Sequence, residues 1–213
     1  MIDHRRIAAI AGVLIALAAG CCAAAAPVVL VVGDSISAGY GIPTDAGWIS
    51  LLQRRLAAEH YPHRVVNASI SGDTTAGGRA RLAPLLDAQH PAVTIIELGG
   101  NDGLRGGSLD AMRANLDAMT ASAQRAGSRV LLIGMQLPPN YGPAYVRRFG
   151  ATYAEVAQSR KAALVPFFFE GFADDNAMFQ QDRVHPVLAA QQKLLDNVWP
   201  QLRPLLGPPD KPR

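Results

Sequence analysis

Cysteine is almost absent from this chain of 213 residues, occurring only as Cys21 and Cys22. Both precede an alanine cluster, Ala23 to Ala26. Cleavage after Ala24 or Ala25 would leave no cysteine at all. A disulfide, a thiol nucleophile and a cysteine-ligated zinc are then all excluded. Charge is also scarce: Asp, Glu, Lys and Arg make up 17% of residues, too few for a disordered polyelectrolyte. The net charge is +3, and the basic residues are scattered. Their densest pairs, Arg54-Arg55 and Arg147-Arg148, suit solvated helix faces better than a nucleic-acid stripe. No nucleic-acid partner is expected. Several motifs are missing. There is no Gly-x-Ser-x-Gly elbow of the ordinary α/β-hydrolases. There is no Walker phosphate loop and no His-Glu-x-x-His zinc motif, and no Gly-x-Gly-x-x-Gly follows the first strand. No metal and no cofactor are expected.

What is present is apolar. Hydrophobic residues make up 49%, enough to bury the core of one ordinary domain. The first 26 residues have the layout of a secretory signal peptide: Arg5 and Arg6, an apolar run from Ile7 to Ala19, then small residues for cleavage. Two rivals stay open. Ile7 to Gly33 carries no charge, so an uncut segment could span a bilayer. Ala18-Ala19-Gly20-Cys21 resembles a lipobox, although the usual leucine is replaced by Ala18. The expected location is the periplasm, or a lipid anchor through Cys21.

From Pro27 onward strand and helix patterns alternate. Pro27–Gly33, Arg64–Asn67, Ala92–Leu98, Val130–Met135 and Leu164–Phe168 read as strands. Between them, Gly47–His60, Thr75–Ala88, Leu109–Ala126 and Pro143–Lys161 read as helices, and Val187–Leu206 as a last one. The strands are apolar without alternation, the mark of a parallel sheet buried on both faces and built from βαβ units. The domain is expected over residues 27–206, followed by a flexible Pro-rich tail, 207–213. In such a sheet a ligand binds beyond the carboxyl ends of the strands.

Four polar segments gather there. Strand 1 runs into Gly33-Asp34-Ser35, strand 2 into Asn67-Ala68-Ser69-Ile70-Ser71-Gly72-Asp73, and strand 3 into Gly99-Gly100-Asn101-Asp102. Asp182-Arg183-Val184-His185-Pro186 comes near the C-terminus. Acyl transfer requires a nucleophile, a base, a group that orients the base, and oxyanion donors. Ser35, at a strand end, is the candidate nucleophile, although Asp-Ser pairs also serve as helix caps. His185 is the candidate base. It has an acid three residues before it, and Asp182 could fix its tautomer. His60, His63 and His90 sit at element ends and are expected to be solvated. Asn101 could donate its amide to an oxyanion and Gly72 its backbone N–H, although both residue types also simply shape turns.

In their order, Ser35, Gly72, Asn101 and His185 resemble the four blocks of the GDSL or SGNH hydrolases. GDSISAGYG, VVNASISGDT, ELGGNDGLRG, LPPNYG and DRVHP resemble in particular the bacterial thioesterase, lysophospholipase and arylesterase group. The resemblance implies a single three-layer α/β/α domain with a flavodoxin-like parallel five-stranded sheet. It implies a Ser35–His185–Asp182 triad, and an oxyanion hole from the N–H groups of Ser35 and Gly72 and the Asn101 amide. It implies hydrolysis of carboxylic esters and thioesters through an acyl-serine. Acyl esters, thioesters or lysophospholipids are the expected small-molecule partners, and the protein is expected to be a monomer, touching membranes through a lipid substrate or Cys21. Two alternatives remain: a carbohydrate O-acetyl-esterase on the same triad, and a non-catalytic flavodoxin-like module binding phosphate or nucleotide.

Overall fold

The computed structural model describes residues 25–210. The signal-peptide and Cys21 readings fall almost wholly outside them, as do the last three residues of the tail.

Five strands form one sheet: β1 (Val28–Gly33), β2 (Arg64–Asn67), β3 (Val93–Glu97), β4 (Arg129–Ile133) and β5 (Ala163–Val165). All neighbours pair in parallel, in the order β2-β1-β3-β4-β5. Every residue of β1 and β3 is buried, which explains the unbroken apolar run of β1 and the mostly apolar β3, in which Thr94 and Glu97 are the polar exceptions. Seven helices are described: α1 (Ser35–Ala38), α2 (Trp48–Ala58), α3 (Thr75–Gln89), α4 (Gly100–Leu104), α5 (Leu109–Arg125), α6 (Pro143–Arg160) and α7 (Gln191–Leu206). Helices α3, α5 and α6 pack side by side against the sheet, while α2 and α7 pair with each other. The result is the three-layer α/β/α arrangement with flavodoxin-like strand order.

That order matters for the site. From β1 the chain goes outward to β2, then crosses back to β3 on the other side of β1. The connections after β1 and β3 therefore leave in opposite directions and open a crevice at the carboxyl ends of those two strands. Ser35 follows β1 and Asn101 follows β3, so both stand at this crevice.

Three details depart from the sequence reading. Strand β5 stops at Val165 rather than reaching Phe168, because Pro166 has no N–H to give to a ladder. The last helix begins at Gln191 rather than Val187, after a 3-10 turn over Leu188–Ala190. His63 is buried rather than solvated, and its ring Nδ1 has no partner among the described residues. It sits edge-on to Tyr61, and burial, with Arg129 nearby, lowers its pKa from the ordinary value.

Candidate active site

Ser35 opens α1, a helix of one turn, directly after β1. Asp34 caps that helix, its Oδ1 accepting the Ile36 N–H at 3.0 Å. The cap fixes the turn that presents the Ser35 hydroxyl, and as the first helical residue Ser35 has a backbone N–H with no intrahelical acceptor. His185 comes to the serine from a loop 150 residues later, its Nε2 lying 2.8 Å from Ser35 Oγ. Its Nδ1 lies 2.7 Å from Asp182 Oδ2. The other oxygen, Asp182 Oδ1, accepts the backbone N–H groups of Val184 and His185 at 2.9 and 3.0 Å. Burial pushes the Asp182 carboxyl up, but these hydrogen bonds to His185 and Val184 outweigh it and hold the group at about 2. Asp182 is thus an acceptor only, and the arrangement puts the proton on Nδ1 and leaves Nε2 as the base.

The His185 loop is fastened from several sides. Gln180 N–H donates to His185 O at 2.8 Å, and Val187 N–H to Met178 O at 2.9 Å. The buried Gln191 side chain accepts the Trp48 N–H at 3.0 Å and donates to the carbonyls of Pro186 and Val187. The ring of Tyr40 lies 4.5 Å from that of His185, centre to centre.

The oxyanion candidates also converge. Gly72 has φ +79°, a left-handed conformation that favours glycine, and its N–H makes no hydrogen bond among the described residues. The Asn101 Nδ2 donates to Asp34 Oδ2 at 3.1 Å and to Asp73 O at 2.9 Å. Both amide hydrogens are engaged in the free protein, and one would be released to an incoming oxyanion. Asn101 is thus tied to the chain neighbours of both Ser35 and Gly72, Asp34 and Asp73. An activated hydroxyl facing such donors is suited to acyl transfer.

Beneath this surface lies a group the sequence reading passed over. Glu97, the last residue of β3, is fully enclosed. Its Oε2 accepts the Ser37 hydroxyl at 2.7 Å and the Asp34 N–H at 3.3 Å, while Oε1 has no partner among the described residues. Burial, then the neighbouring Asp34 charge, raises its pKa well above the ordinary range. Asp34 is itself raised by burial to about 6. The two carboxyls are buried together behind the serine and resist ionising together. A signal existed for Glu97, namely an acid closing the run Val93-Thr94-Ile95-Ile96. Gln191 and Tyr40 carried none, because their contacts cross between distant segments.

The chain is similar to known proteins over most of its length. Residues 31–193 match the model of the GDSL-like lipase/acylhydrolase family. The chain is 58% identical over 183 residues to esterase TesA of Pseudomonas aeruginosa, covering 86% of this chain and 91% of that protein. It is 40% identical over 185 residues to thioesterase 1/protease 1/lysophospholipase L1 of Escherichia coli K12, covering 87% and 88%. A crystal structure of TesA superposes with a TM-score of 0.82 at 57% identity, covering 84% of this chain and 99% of that one. With the family model spanning most of its length, and relatives this similar, the chain belongs to the GDSL-like lipase/acylhydrolase family.

Proposed function

We propose that this hydrolase cleaves carboxylic ester and thioester bonds through an acyl-serine intermediate. The observation that carries the reading is the unbroken row Ser35 Oγ, His185 Nε2, His185 Nδ1, Asp182 Oδ2, with both links under 3 Å. His185 takes the Ser35 proton as Oγ attacks the acyl carbon. The N–H groups of Ser35 and Gly72 and the Asn101 amide receive the negative charge on the carbonyl oxygen. Collapse of the tetrahedral species breaks the bond to the alcohol or thiol, which leaves with the proton from His185. Water then attacks the acyl-serine by the same route and releases the acid. Asp182 holds the ring tautomer and stabilises the imidazolium that forms.

The test is a panel of p-nitrophenyl esters, acyl thioesters and lysophospholipids, given to the wild type and to Ser35→Ala. Turnover confined to the wild type, with one fluorophosphonate label at Ser35, is expected. Labelling at another serine, or an active Ser35→Ala, overturns the assignment. A tightly held phosphate or nucleotide without turnover would favour a binding module, and a preference for acetylated sugars would favour the carbohydrate esterase.

The N-terminal segment supports a proposal of export to the periplasm. N-terminal sequencing of the mature protein should begin near Ala25 or Ala26. A diacylated Cys21 would establish a lipid anchor instead.

A further inference from the structure

Arg105 ends α4, one turn beyond Asn101, and its backbone N–H donates to Asn101 O at 3.3 Å. Its side chain reaches across the crevice, with Nη2 donating to Gly72 O at 3.1 Å. A single residue thus touches two of the three residues assigned to the oxyanion hole. The guanidinium is exposed, and no carboxylate pairs with it among the described residues. The acids on the same loops are turned elsewhere. Asp102 is taken up by the Thr75 N–H and hydroxyl, and Asp73 by Arg81 and the Thr74 N–H. The segment that carries Arg105 is braced on both sides, by Tyr141 Oη donating to Leu104 O and by Tyr145 Oη donating to Gly107 O, each at 2.9 Å.

An arginine has five N–H donors in a planar fork that matches phosphate oxygens. One bond to a carbonyl uses a fraction of that capacity. A brace for Gly72 would need only the one donor, whereas a permanent cation beside the oxyanion hole, left without a counter-ion, provides a site for an anion carried by the substrate. We propose that Arg105 is a specificity determinant that pairs with a phosphate group of the ester or thioester substrate. The inference rests on the hydrolase reading above. It goes further by assigning a charge preference to the crevice and a residue to that preference. The shared chemistry is a phosphate carried on the leaving group, set off from the reacting carbonyl by a glycerol in a lysophospholipid and by the longer pantetheine arm in a coenzyme A thioester.

The experiment compares substrates that share a reacting bond and differ in phosphate. Decanoyl-CoA is set against decanoyl-N-acetylcysteamine, and a lysophosphatidylglycerol against the neutral monoacylglycerol of the same chain. Wild type, Arg105→Lys and Arg105→Gln are assayed for kcat and KM on each. Arg105→Gln should raise KM for a phosphate-bearing substrate about five- to tenfold. Its kcat and its turnover of the neutral partner should stay within about twofold, which also shows that it is folded. Arg105→Lys should recover part of the loss. Added salt should raise the wild-type KM for the charged substrate and narrow the gap between the variants. Loss confined to one pair names the source of the phosphate. If Arg105→Gln loses kcat equally on charged and neutral substrates, Arg105 only steadies Gly72 and the inference falls. Unchanged KM on both charged substrates overturns it as well. A wild type inert toward both neutral substrates and both charged ones would instead overturn the hydrolase reading, and this inference with it.

Discussion

A serine hydroxyl is a poor nucleophile, and in the proposed mechanism the 2.8 Å contact with His185 Nε2 is what activates Ser35. The two residues therefore act as a unit, and their losses should not multiply. Ser35→Ala, His185→Ala and the double variant should have nearly the same residual kcat/KM on one activated ester. Asp182→Ala should keep more, because a water can partly orient the ring. Multiplying effects of Ser35 and His185 would show that they act independently. Asn101→Ala removes one oxyanion donor, and kcat should fall about 10²–10³-fold with little change in KM. A rise in KM alone would assign the amide to ground-state binding. Asp182, held at about 2 by its hydrogen bonds, stays ionised above that range. Its folded value is depressed, so its contribution to stability is present above the ordinary aspartate range and is lost as pH falls through about 2.

At the scale of the element, the His185 loop has little regular structure of its own and depends on α7 and α2 to hold its place. Gln191, the first residue of α7, bridges the Trp48 N–H at the start of α2 and the carbonyls of Pro186 and Val187. Gln191→Ala leaves buried donors and acceptors unmet. Stability to urea should fall by about 1–3 kcal/mol, and kcat should fall with it as the imidazole loses its aim. A variant less stable yet fully active would show that the loop is held by its other bonds. Helix α4 offers a second case. A Cβ on Gly103 would come within 2.5 Å of Phe149 Cε2, and Phe149 is a fully buried ring of α6. Gly103→Ala should therefore push α4 away from α6, displace Asn101 and depress kcat more than KM. A crystal structure of the variant with Asn101 unmoved would refute that coupling.

Across the whole molecule, the buried pair Glu97 and Asp34 links the site to the stability of the fold. Both carboxyls are raised, Glu97 by burial and the Asp34 charge, and Asp34 by burial, to about 6. A raised folded value means that the native state holds its proton more tightly than the unfolded chain. Glu97 thus favours folding fully below the ordinary glutamate range, and that contribution is lost as pH rises through the folded value. Gln in its place cannot ionise, yet it can still accept from Ser37. Glu97→Gln should therefore gain in Tm relative to the wild type between pH 5 and pH 8. Comparing the two proteins at each pH cancels the opposite trend of His63, whose lowered value weakens folding as pH falls. A Tm difference that is the same at both pH values would show that Glu97 is ionised in the folded protein as it is in the unfolded chain.

Sequence alone determined the class of fold, because a strand covered on both faces is apolar almost throughout, and helical patterns separate such strands along the chain. Val28–Val32 shows that pattern at every position, and Val93–Ile96 at all but Thr94. It also named Ser35, Gly72, Asn101, Asp182 and His185, since each sits in a short block whose residue types suit its proposed role. Element ends were less legible: Pro166 stops β5, and the caps of α1 and α4 lie in runs too short for periodicity to register. Tertiary structure decided what lies behind and beside those five residues. The enclosure of Glu97, the burial of His63, the reach of Gln191 to Trp48 and the unpaired guanidinium of Arg105 over Gly72 each join segments far apart in the chain. Local pattern records whether a residue prefers water. It does not record which distant atoms will surround it, and that surrounding fixes how a carboxyl titrates or whether a cation is left free to meet a substrate.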